Sequence, residues 1–301
     1  MSSCADNRQT IGLSALGGFP LGRGIFALSL FGLAAALGGC DTVGFGRGGV
    51  DARAPQYAEV KPDDPAAAKS NIDSLTDVIQ RNPQSSEAYL TRGNAYARNG
   101  RIADAIADFS QTIKLDPNNA PAYTNRALAE RQIGRNDAAL ADFNRAIEAN
   151  PRHASAYVGR ANLLRAQGNL DQALSDLDQA IRLNPENAQA FHARGLIYQR
   201  EGNHQRAVTD FDNAIDRDPF AAAPYQARGE SLIALGKYNL AIEDFNASLN
   251  VDNRNADGWA GLGLAYEKSG NRMKAAESYQ RALVIDPNNR IARDGASRVR
   301  V

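Results

Sequence analysis

A 34-residue pattern is written six times in succession in this chain, with no insertion or deletion between copies: 86–119, 120–153, 154–187, 188–221, 222–255 and 256–289. A fixed period of this size means stacked copies of one supersecondary unit. Such a stack has no single central core, because each copy buries its apolar face only against its neighbours. The period therefore decides the architecture before any individual residue is considered.

Each unit predicts two helices. In the first half, positions 4, 7, 8 and 11 (Tyr89, Arg92, Gly93 and Tyr96 in the opening unit) follow the spacing of one helical face. In the second half, positions 20, 21, 24, 27 and 28 (Ala105, Ile106, Phe109, Thr112, Ile113) do the same. Position 15 is Gly in every unit, as in Gly100 and Gly168, and supplies a left-handed residue at the end of the first helix. Pro at position 32 ends the second helix in five units, whereas the fifth unit has Asn253 and is expected to be less sharply punctuated. Positions 8 and 20 are always small, which lets the two helices approach closely. An aromatic residue at position 4, from Tyr89 through Trp259, fills the space toward the neighbouring unit.

This arrangement, W/Y-x2-L/R-G/A…A-x3-F…A…P, resembles the tetratricopeptide repeat (TPR) over residues 86–289. The resemblance implies an all-α superhelix, a solenoid of six antiparallel helix pairs whose concave face, lined by the first helices, binds proteins or extended peptides. One departure is systematic. Position 7, usually Leu, is Arg92, Arg126, Arg160, Arg194 and Arg228, and position 23 of the same units is Asp108, Asp142, Asp176, Asp210 and Asp244. In the sixth unit both change together, to Leu262 and Ser278. A guanidinium fork suits a carboxylate, so these residues are expected to form salt bridges within or between adjacent units; the competing reading is an arginine ladder for an anionic ligand.

If positions 4, 7, 8 and 11 are buried, positions 2, 5, 9, 12 and 13 of each first helix face the groove. They provide Asn94, Arg98, Asn125 (at position 6), Arg131, Asn162, Arg165 and Arg200 as candidate partner-binding residues. The groove is read as basic toward its N-terminal end and apolar or mixed beyond Ile233. Some members of the family hold a C-terminal carboxylate with two Asn and three basic side chains. Asn94 and Asn125 match the two Asn, but Leu90, Ser155 and Gly159 stand where the cations belong, so only backbone recognition by the two amides carries over.

Outside the repeats the N-terminal region is distinctive. An uncharged apolar run at 24–39 follows Arg8 and Arg23 and ends Leu37-Gly38-Gly39-Cys40. It is too short to span a membrane and reads as an export signal. Its end resembles the lipobox of bacterial lipoproteins, which makes Cys40 the lipidated first residue of the mature protein; the alternative is an uncleaved signal anchor. Residues 1–39 are then the signal peptide and residues 40–68, rich in Gly, Pro, Ala and Asp, a flexible tether. Residues 69–85 form an N-terminal capping helix, and residues 290–301 a C-terminal one with Ile291, Ala292 and Val299 on its packed side. Asp41 resembles a signal for retention in the inner membrane, without deciding between the two membranes.

The 34 Lys+Arg balance 34 Asp+Glu, so the chain has no overall drive toward nucleic acid. The cysteines, Cys4 and Cys40, both precede the repeats, and His153, His192 and His204 have no ligand-like spacing. No nucleophile with a base and no phosphate-cradling loop is present. The expectation is a non-enzymatic scaffold without cofactor or metal, held at the periplasmic side of a bacterial envelope through a lipid anchor. The alternative is a chaperone-like or sensing subunit that binds exported polypeptides transiently.

Overall fold

The structure, a computed structural model, describes residues 65–299; the expected signal segment, Cys40 and residues 40–64 of the expected tether lie outside the described residues. The described residues are all-α, with fourteen helices and no strand. A lone helix, α1 (Pro65–Arg81), precedes six pairs. The first three pairs are α2 (Ser86–Arg98) with α3 (Ile102–Leu115), α4 (Ala120–Gln132) with α5 (Asn136–Ala149), and α6 (Ala154–Gln167) with α7 (Leu170–Leu183). The next three are α8 (Ala188–Arg200) with α9 (His204–Arg217), α10 (Ala222–Ala234) with α11 (Tyr238–Val251), and α12 (Ala256–Lys268) with α13 (Arg272–Ile285); α14 (Arg290–Arg298) closes the series. α1 begins within the stretch read as tether, because Pro65 is pre-set for a first helical position and three alanines follow it.

Local chemistry sets the helix ends. Most first helices begin on a side chain that caps an otherwise unpaired backbone N–H: Ser85 accepts from Ala88, and Asn119, Asn187 and Asn255 accept from the residue three further on. Each first helix ends at the position-15 glycine, whose φ is positive in all six units. The second helices stop at position 30, and position 31, always Asp or Asn, is extended. Its side chain accepts from the backbone N–H two residues on, at 2.9–3.2 Å in all six units. This Asx turn corrects the expectation for the fifth unit. Asp252 makes the same turn without a following proline, so α11 ends as cleanly as its counterparts.

The packing repeats as regularly. The ring at position 24 lies between the small residue at position 8 of its own unit and position 6 of the next first helix. Phe143, fully buried, touches Ala127 of its own unit and leaves no room for a side chain on Gly159; Phe245 meets Gly229 and Gly261 in the same way. Tyr279 meets Gly263 and then Gly295 of α14, which thus packs as a first helix does. Its packed side is Ala292, Gly295 and Val299; Ile291, expected there, is exposed. Each first helix is also buried at positions 3 and 10, as in Ala122, Ala129 and Leu163, because it is wedged between two second helices rather than resting on one. Consecutive first helices touch one another, whereas consecutive second helices do not. The stack therefore curves, with its first helices on the concave side.

Candidate binding groove

The conspicuous arginines of the repeat are structural. Nε and Nη2 of Arg160 donate to the two carboxylate oxygens of Asp176 at 2.8 and 2.7 Å. Its Nη1 donates to Asn144 of the preceding unit at 2.7 Å. The same fork forms in all five units that carry the pair, with Thr76, Ser110, Asn144, Asp178 and Asp212 as the partners from the preceding second helix. The salt bridge is thus within the unit, and the third hydrogen bond ties that unit to its neighbour. Hydrogen bonds to the aspartates raise the pKa of all five guanidinium groups, against burial, which lowers it. Each also stacks over the aromatic residue at position 4, at 5.7–5.8 Å. With every fork occupied, a ligand-binding ladder at position 7 is excluded.

What remains for a partner lies on the concave face. A cavity of about 370 Å³ opens between α4 and α6, lined by Asn125, Leu128, Arg131, His153, Val158 and Asn162 among others. A second, of about 270 Å³, adjoins it between α2 and α4 and is bordered by Asn94, Arg98, Asn125 and Leu128. Asn94 and Asn125 do not stand open side by side: Asn125 Nδ2 donates to Asn94 Oδ1 at 2.7 Å. The bond fixes both amides and leaves Asn94 Nδ2 and Asn125 Oδ1, one donor and one acceptor, toward the groove. Position 5 faces a partner less than expected, being buried in three of the six units. Thr124, Val158 and Ala260 there are buried, since the helix–helix contact on the concave side covers them.

The basic residues divide. Arg98 is exposed at the rim, whereas Arg131 and Arg165 are half-buried at position 12 of consecutive first helices. Arg200, at position 13 of the next, reaches back to the Arg165 carbonyl. Among the described residues none of these has a carboxylate within salt-bridge distance, and Arg165 Nε is buried with no hydrogen-bond partner. Burial, then the charges of Arg200 and Arg131, lower the pKa of Arg165. His192, packed beside the Phe211 ring, is pushed down to about 4 by burial and by Arg165, and so is neutral. His153, whose Nε2 is buried and unpartnered, lines the larger cavity. Neither histidine stood out in the sequence, because the period places them at different repeat positions.

Beyond α8 the lining changes. Gln199 bonds Ala227 O and Ser231, and Glu230 accepts from Gln199 and Gln226. Glu267 on α12 is engaged by Arg298 at 2.7 and 2.9 Å and by the Tyr279 hydroxyl at 2.6 Å. These bonds lower the Glu267 pKa and lock α14 in place. The basic end foreseen from the sequence is present, and the far end is acidic as well as apolar.

Comparison with known proteins agrees with this geometry. Models described as tetratricopeptide repeat match residues 86–119 and 256–289, 143–175, and 120–153 and 188–220, and one described as TPR repeat matches 161–202 and 229–270. No curated protein matches the sequence. Among solved structures, one described as the APC/C hetero-tetramer Cut9-Hcn1 is 22% identical with a TM-score of 0.68 over 82% of this chain. The match covers only 50% of that protein's chain. The type IV pilus biogenesis factor PilW is 18% identical with a TM-score of 0.62, over 69% of this chain and 97% of its own. YrrB, described as a TPR protein with an unusual peptide-binding site, is 24% identical with a TM-score of 0.53, over 63% of this chain and 97% of its own. At these identities the likeness is one of fold. Four repeat models that together span about two thirds of the sequence carry the assignment: the chain belongs to the tetratricopeptide repeat family, whose stacked helix pairs are scaffolds for protein–protein interaction.

Proposed function

We propose that this protein holds an extended segment of a partner protein along its concave face while tethered to a bacterial envelope membrane through a lipid on Cys40. One observation carries the groove part of the reading. The packing occupies every position-7 arginine, yet among the described residues it leaves Asn94 Nδ2 and Asn125 Oδ1 free of each other and the position-12 and -13 arginines without a carboxylate partner on the curved side. Polar groups left free by packing are where recognition resides. The fixed amide pair suits a peptide backbone, and Leu128 and Leu196 at position 9 suit apolar side chains. The peptide-binding site of YrrB and the description of PilW as a type IV pilus biogenesis factor lend support by analogy of fold to a part in envelope assembly.

The two halves separate experimentally. Cys40→Ser should move the protein from the membrane fraction to the soluble periplasmic fraction; retention in the membrane would refute the lipid anchor. A photo-crosslinking residue at Leu128 should capture a discrete envelope protein, and one at Val284, which is exposed on a second helix, should not. Equal capture from both would remove the groove from the function. A diffuse ladder of polypeptides from Leu128 alone would favour the transient, chaperone-like alternative.

A further inference from the structure

We infer that Arg131, Arg165 and Arg200 form a receptor for carboxylate side chains, so that the segment held in the groove is an acidic peptide. The inference rests on the groove being a peptide-binding face. It begins from a contrast within single helices. On α6, Arg160 has its whole fork satisfied by Asp176 and Asn144, whereas five residues later Arg165 has a buried Nε with no partner. A half-buried guanidinium flanked by two others is unfavourable in the unliganded protein: desolvation and like charge both oppose it. His192 adds no acceptor charge, and among the described residues no carboxylate lies within salt-bridge distance of any of the three. Supplying that charge from outside would satisfy the arginines, and an arginine–carboxylate pair is among the stronger hydrogen-bonded contacts.

The spacing favours a peptide over a small anion. The three arginines come from α4, α6 and α8, consecutive first helices in contact. Packed helices are about 8–10 Å apart, so the set covers a distance on the order of 20 Å. A peptide extended at about 3.3 Å per residue crosses it in roughly six residues. Along that path lie Asn125 and Asn162 for its backbone and the exposed Leu128 for apolar contact. Beyond α8, Glu230 and Asp257 repel further acidic residues, which sets where the acidic stretch must stop.

The test measures binding of the full chain to a blocked peptide alternating Glu and Ala over twelve residues, to its Gln counterpart, and to inorganic phosphate. The Glu peptide should bind about tenfold or more tightly than the Gln peptide, one charge-assisted contact being enough for that factor. Arg165→Gln should reduce its affinity about tenfold, and Arg98→Gln less than threefold. Stability separates recognition from architecture. Arg165→Gln should leave the denaturation midpoint unchanged or raised, whereas Arg160→Gln on the same helix should lower it. Equal binding of the Glu and Gln peptides overturns the carboxylate receptor but leaves the groove as a peptide site. Phosphate competing at the same affinity as the Glu peptide overturns it in favour of a small-anion site. A loss of stability in Arg165→Gln matching that of Arg160→Gln makes Arg165 a packing residue and overturns it too. Binding of neither peptide to folded protein refutes the groove reading itself.

Discussion

Single residues in this protein are defined by the charge around them. His192 makes the point at its sharpest, because its neutrality follows from burial beside Phe211 and from the field of Arg165. Its folded pKa, about 4, lies below the ordinary histidine value of 6.5. The unfolded chain therefore binds the extra proton between those values, and folding stability is complete above about pH 6.5 and declines as pH falls toward 4. Between pH 7 and pH 5 the wild type should lose about 2 kcal/mol of unfolding free energy through this group. His153, lowered by burial, acts in the same direction. Urea denaturation of wild type and His192→Gln at the two pH values measures the difference, and equal losses in both would show that His192 does not titrate on unfolding. Nothing in the repeat pattern flagged this residue, since position 5 carries Leu90, Thr124, Val158, Gln226 and Ala260 in the other units.

At the scale of the element, the helix pair is governed by one close approach. The position-24 ring is clasped between two first helices, and where the residue facing it is glycine, as at Gly159 and Gly261, a methyl group added there meets the ring. Gly159→Ala tests this directly. Alanine gains up to about 1 kcal/mol of helix propensity over glycine, but its Cβ would collide with the edge of Phe143, which is fully buried and hemmed in by Ala139 and Leu163. Overpacking a filled core costs typically 1–3 kcal/mol, so the net effect should be a destabilisation of about 1 kcal/mol or more, read from the denaturation midpoint. A stabilised Gly159→Ala would mean that Phe143 can move. The helix pair itself, its glycine stop and its small-residue notch were legible in the sequence. The notch at position 6 was not, because glycine and alanine alternate there with Thr91 and Asn125 and the periodicity of one helix face does not reveal a second neighbour.

Across the whole molecule, stability is the sum of neighbouring contacts, so the ends matter. α14 covers Tyr279 with Gly295 and is held by the Arg298–Glu267 pair. Deleting residues 290–301 should expose the Tyr279 ring and release the last pair first. Hydrogen exchange of α12 and α13 should accelerate about tenfold or more, while α4 to α7 change little, as expected where opening is local. A uniform loss of protection along the array would show a single cooperative unit instead. The sixth unit is the one that lacks the arginine fork, having Leu262 and Ser278 in its place, both buried. That unit depends on apolar contact with α14 where the others depend on the fork.

By itself the sequence determined the period, the helix pair and the stacking partners, and it pointed to Arg–Asp bridges without placing them within or between units, because each is a relation between residues at fixed separations in one chain. The 34-residue step converts a local pattern into a tertiary one without further information. Tertiary structure alone decided which residues were left over. Curvature brings first helices together and separates second helices, so it buries Thr124, Val158 and Ala260 at position 5, pairs Asn94 with Asn125 and gathers Arg131 and Arg200 around Arg165, which lies beside His192. These juxtapositions join different positions of different units, and no spacing along the chain encodes the angle at which neighbouring pairs meet.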